Sequence, residues 1–151
     1  MLTAVALMLL ASSGAVAASD GAVSVQEYAA RVVDGDWAPA IQAALDSFAD
    51  AQRPGGTLVF PPGGYRVDRP IRLGTQTGQW GLHLLGYGAT LVGSAALDAV
   101  DWSEVEPEEA EHGAPILVVS GVEGIEGGNY CVEGLSFDRE QRGNGVGISL
   151  P

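Results

Sequence analysis

The sequence predicts an all-β solenoid, in which short parallel strands stack coil on coil and one α-helix covers the first coil. Three observations lead there. After a single amphipathic helix the chain breaks into short apolar runs, each closed by Gly, Pro or Asp. Hairpin signals are missing between these runs, since the one Asn-Gly pair, Asn144-Gly145, reads as a loop exit. The segments Glu133 to Asp138 and Gly145 to Leu150 share an order of glycine, apolar, small or polar, apolar, which lets an inward residue recur on each coil. An antiparallel sandwich is the competing architecture, and it needs the hairpins that are absent.

The elements follow in order. Met1 to Ala18 reads as a signal peptide: an apolar run from Leu2 to Ala11, then small residues ending in Ala15-Val16-Ala17, an A-x-A cleavage pattern. The n-region carries no Lys or Arg. A membrane anchor is the alternative, but Ser12, Ser13 and Gly14 end the apolar run well short of the ~20 residues that span a bilayer, so no stable membrane insertion is expected after cleavage. The expected location is secreted or periplasmic. Residues 19–36 form a polar lead-in with scattered apolar positions, a short strand or an extended segment. Trp37, Ile41, Ala44, Leu45 and Phe48 then recur at the spacing of one helix face. Asp36 is the predicted N-cap, Pro39 is tolerated in the first turn, and Pro54-Gly55-Gly56 stops the helix, which is predicted over about Trp37 to Ala51. Strands are predicted at Thr57 to Phe60, Tyr65 to Val67, Pro70 to Leu73, Leu82 to Leu85, Ala89 to Val92, Ile116 to Val119, Val132 to Phe137 and Val146 to Leu150. Tyr65 is expected to bury its ring and keep its hydroxyl at a rim.

Composition narrows the function. The chain has 151 residues and is 46% hydrophobic, enough for a core. All seven basic residues are arginine, against 19 Asp plus Glu, for a net charge of -12. A nucleic-acid partner is excluded, because nothing replaces the counterions around phosphates. The same acidity repels a polyanionic glycan, so a neutral polysaccharide fits at least as well. Cys131 is the only cysteine, hence no internal disulfide forms. Within Tyr130-Cys131-Val132 it reads as a small buried hydrophobe rather than a nucleophile, with no His near it in sequence.

The run Ala40-Ile41-Gln42-Ala43-Ala44-Leu45-Asp46, followed by Gly55-Gly56-Thr57-Leu58-Val59-Phe60-Pro61-Pro62-Gly63-Gly64-Tyr65-Arg66-Val67, resembles the start of the pectate-lyase-like superfamily, in the branch named after rhamnogalacturonase and epimerase. Leu84 to Leu91 and Val132 to Asp138 resemble that family's next coils, so the likeness covers about Asp34 to Leu150. Ahead of the helix only Val33-Asp34-Gly35-Asp36 matches. The resemblance implies a right-handed single-stranded parallel β-helix, of which 37–151 is the N-terminal cap helix and first coils. It also implies an exported polysaccharide-active protein, either a glycoside hydrolase or a polysaccharide lyase. A non-catalytic glycan-binding β-helix of adhesin or tailspike type is the alternative, as is a truncated fragment without activity. The family's catalytic groups lie on later coils, so no catalytic residue is assigned here and the segment alone is expected to be inactive. No cofactor is evident; Ca2+ is implied only if the reaction is that of a lyase.

Remaining site signals are weighed residue by residue. The acidic run Asp101 to His112 lacks the spacing and internal Gly of a calcium loop and reads as a solvated insertion. His83 and His112 sit in no metal-ligand spacing, and no metal site is predicted. Gly86-Tyr87-Gly88 lacks the third glycine of a dinucleotide fingerprint and reads as a tight turn. Asp138 and Arg142 are the candidate glycan contacts, in a cluster with Arg139 and Glu140, with a surface ion pair as the alternative.

Overall fold

A computed structural model of the chain describes residues 21–49, 55–75, 79, 81–101, 114–119, 129–139 and 148–149. The proposed signal peptide, the acidic run beyond Asp101, and Arg142 lie outside the described residues.

The lead-in is more ordered than its polarity suggests. Ala22–Ser24 forms β1, and Val25–Arg31 forms a 3-10 helix whose start is a capping box: Ser24 accepts from the helix backbone and Glu27 returns the bond to the Ser24 N–H. The α-helix α1 spans Ala38–Asp46. Its N-cap position is Trp37 rather than the predicted Asp36, but the Asp36 carboxylate, one residue earlier, accepts from the Ala38 N–H at 2.9 Å. Buried Ala38, Ala40, Ile41, Ala44 and Leu45 make its inner face, and Phe48 packs just past its end. It stops short of the predicted Ala51. The Ser47 hydroxyl donates to the Ala44 carbonyl (2.6 Å), and the buried Gln79 amide donates to the Leu45 carbonyl (3.2 Å), so the terminal acceptors are satisfied without another turn.

The strands are β2 (Gly56–Val59), β3 (Gly63–Val67), β4 (Ile71–Leu73), β5 (Leu82–Gly93), β6 (Leu117–Val119), β7 (Cys131–Asp138) and β8 (Ile148–Ser149), and a short helix α2 (Ala95–Asp98) follows β5. Every strand pairing is parallel. β1, β2, β3, β5 and β7 make a five-stranded sheet, and β4, β6 and β8 a three-stranded one.

This corrects the fold class. The described residues form a mixed arrangement of two parallel sheets and intervening helices, not the all-β solenoid, and not the right-handed single-stranded parallel β-helix that the resemblance implies. Two causes are visible. Besides the predicted α1, two helical segments, the 3-10 helix Val25–Arg31 and α2, stand among the strands where no helix was expected. The runs at Leu82 and Ala89, read as separate strands, are one 12-residue strand that pairs with β2 through its first half and with β3 through its second, so the strands do not sort into uniform repeats.

Registered rows of apolar side chains hold the sheet to its core. Leu58, Leu84 and Val132 align across three strands, as do Tyr65, Leu91 and Phe137. The Tyr65 ring is 2% exposed and meets Trp37 and Phe60 edge-on, at centroid distances of 5.0 and 5.7 Å. Its hydroxyl donates to the Pro61 carbonyl at 2.7 Å, so a backbone acceptor satisfies it.

Candidate functional site

Successive strand residues face opposite sides, so the inward rows fix which residues point out. On β5 the outward positions begin with His83 and Leu85, and on β7 with Cys131 and Glu133; the register sets His83 opposite Cys131 and Leu85 opposite Glu133. The register then slips. Between Leu85 and Ala89 three residues of β5 stand against Gly134 alone on β7. This is a β-bulge within a continuous strand, which corrects the reading of Gly86-Tyr87-Gly88 as a tight turn.

The bulge presents Tyr87. Gly88 (φ 79°) and Gly134 (φ 70°) take the left-handed conformation the slip requires, and a Cβ on Gly134 would lie 2.8 Å from Tyr87 Cδ1. The Tyr87 ring therefore lies over the backbone of Gly134 and stays 65% exposed, one of two large apolar or aromatic side chains so exposed among the described residues. Its hydroxyl donates to Glu133 Oε1. That hydrogen bond, with the carboxylate charge behind it, pushes the Tyr87 phenol above its ordinary value, since ionisation would set two anions together.

The other Glu133 oxygen lies 3.1 Å from His83 Nε2. Nε2 is closed off from solvent yet makes no aligned hydrogen bond, so proximity to the carboxylate does not satisfy it. Cys131 completes the group: one ligand-type atom from each of His83, Cys131 and Glu133 lies within 4.8 Å of the others. Cys131 is exposed, which corrects its reading as a buried hydrophobe; Val132 takes the inward position and Cys131 the outward one. A thiol and an imidazole among the donors do not suit Ca2+, which takes oxygen ligands.

Sequence reasoning singled out His83 and Cys131 separately and missed Glu133 and Tyr87. One signal was available. Inward residues change phase from Leu82 and Leu84 to Ala89 and Leu91 on one strand, and from Val132 to Leu135 and Phe137 on the other, with glycine at both breaks. Matched phase changes on two strands mark a shared bulge.

Of the predicted glycan contacts, Asp138 ends β7, exposed and in register with Val92. Arg142 lies outside the described residues. Their neighbour Arg139 is engaged in the fold, paired with Asp98 and donating to the Ala114 carbonyl at 2.7 Å. An open pocket of about 290 Å³ beside α1 is lined in part by Arg31, Gln42, Asp46 and Arg69. Its polar groups serve the fold: Gln42 bonds the Arg72 backbone and Asp46, and Arg69 bonds Asp36. The outward face of β5 and β7 is the stronger candidate. No helix among the described residues is long and apolar enough to cross a membrane. No protein family, curated protein or solved structure matches this chain.

Proposed function

We propose that this chain is part of an exported polysaccharide-active protein, a glycoside hydrolase or polysaccharide lyase related to the pectate-lyase-like superfamily, and that it contacts glycan across the outward face of β5 and β7. The observation that carries this reading is Tyr87, an aromatic ring raised on a bulge, 65% exposed and steadied by Glu133. Such a ring offers an apolar platform with a polar tip, and the C–H face of a pyranose is its complement. The Glu133 carboxylate beside it supplies acceptors for sugar hydroxyls. The net charge of -12 favours a neutral glycan over pectate. The helix, Gly-Gly, Pro-Pro-Gly and Tyr motif supports the family relationship, and the apolar leader with its A-x-A ending supports export.

A second reading, glycan binding without cleavage, is favoured by how Glu133 is engaged. Both its oxygens already face partners, Tyr87 and His83, which suits a positioning group better than a free acid or base. Incubating the chain with a panel of neutral and acidic polysaccharides separates the readings. Retention on neutral glycans with release of reducing or unsaturated ends supports an enzyme, and retention without new ends supports a binding module. Retention on none of them contradicts both.

A further inference from the structure

The geometry points to a divalent transition-metal site on this sheet face, with the His83 imidazole, the Cys131 thiolate and the Glu133 carboxylate as its protein ligands and Zn(II) as the ion it fits. The inference shares Glu133 and Tyr87 with the glycan reading but does not depend on it, and metal uptake tests it separately from glycan retention.

Three atoms that all lie within 4.8 Å of one another have a common point within about 2.8 Å of each. Zinc takes nitrogen and carboxylate oxygen at about 2.0 to 2.2 Å and thiolate sulfur at about 2.3 Å, so small side-chain rotations close the site. The donor set of one nitrogen, one sulfur and one oxygen selects a borderline-soft ion over Mg2+ or Ca2+. Parallel register, rather than a flexible loop, brings the ligands together: His83 and Cys131 are direct partners, and Glu133 is on the same face of β7. Two further features suit a metal better than a bare ion pair. His83 Nε2 is shut away from water and has the 3.1 Å contact to Glu133 but no aligned hydrogen bond, an arrangement that a shared metal ion would satisfy. Tyr87 donates to Glu133 from outside the triangle, the support a ligating carboxylate ordinarily receives. Three protein ligands leave the fourth tetrahedral position to water.

The test uses the full chain, reduced and metal-free, with Zn(II) titrated against a chromophoric chelator and Co(II) as the spectroscopic probe. The expected result is one metal per chain, with a thiolate-to-cobalt charge-transfer band in the near ultraviolet and the intense visible bands of tetrahedral cobalt. Cys131→Ser should abolish the charge-transfer band and weaken Zn(II) binding by more than about 100-fold. Tyr87→Phe keeps all three ligands and should weaken binding about 10-fold. Circular dichroism checks that each variant folds. In the wild type, which needs no substitution, Zn(II) should slow alkylation of Cys131 by more than about 10-fold. Folded wild type that takes up no Zn(II), binding unchanged in Cys131→Ser, or an alkylation rate indifferent to Zn(II) would each overturn the site.

Discussion

Gly134 is the residue on which the presentation of Tyr87 depends. Gly134→Ala forces a Cβ into the left-handed region and against the Tyr87 ring, so it should cost about 1 to 2 kcal/mol from the backbone alone and swing the ring away from Glu133. Denaturant unfolding reads the first effect, and phenolate absorbance reads the second. Tyr87 has a raised folded-state value, so whatever the Glu133 contact contributes is present below the ordinary tyrosine range and lost as pH rises through the folded value. Glu133→Gln should move that titration step down toward ordinary tyrosine, while Tyr130, raised by burial, stays where it is. Asp36 plays the comparable part at the start of α1. Its buried carboxylate accepts from the Ala38 N–H, the Asp68 N–H at 3.1 Å and the Arg69 guanidinium at 3.1 Å, tying the helix to the turn between β3 and β4. Asp36→Ala orphans these donors and should cost about 3 kcal/mol in a urea titration.

Elements were legible where a local signal sufficed. Asp36 ahead of an apolar helical face announced α1, and the alternation of Leu58, Phe60, Tyr65 and Val67 around Pro61-Pro62 announced β2 and β3. The end of α1 was not legible, because the group that satisfies it, Gln79, arrives from beyond β4. The same helix protects a strand edge. The Gln42 side chain accepts from the Arg72 N–H at 3.0 Å and donates to the Arg72 carbonyl at 3.1 Å, taking the place of a neighbouring strand along β4. Gln42→Ala should therefore lower stability by about 1 to 2 kcal/mol and raise self-association, seen as a concentration-dependent rise in light scattering. Asp68 links β3 to the loop before α2. Partial burial pushes its carboxyl up, but hydrogen bonds from Ser94 and Arg66, with the Arg66 and Arg69 charges, outweigh that and hold it below the usual carboxylate value. Its contribution is present above the ordinary Asp range and lost as pH falls through the depressed value, so Asp68→Asn should lower the urea midpoint at neutral pH and flatten its fall in acid.

At the scale of the molecule, what escaped the sequence is what depends on register. His83 and Cys131 belong to segments far apart in the chain, and only the pairing of β5 with β7 makes them neighbours. The solenoid expectation failed for a related reason: two apolar runs separated by Gly86-Tyr87-Gly88 look like two strands, and only the paired glycine at position 134 reveals a single bulged one. The acidic balance was legible from composition, and it bears on every proposed ligand by favouring neutral glycans and cations over anions. The measurement that bears most directly on the proposed glycan face is affinity electrophoresis of the wild type and Tyr87→Ala through gels holding neutral polysaccharides. Retardation of the wild type, lost by at least about 10-fold in Tyr87→Ala with its fold intact, is the expected result. Equal retardation of both proteins, or of neither, would contradict it.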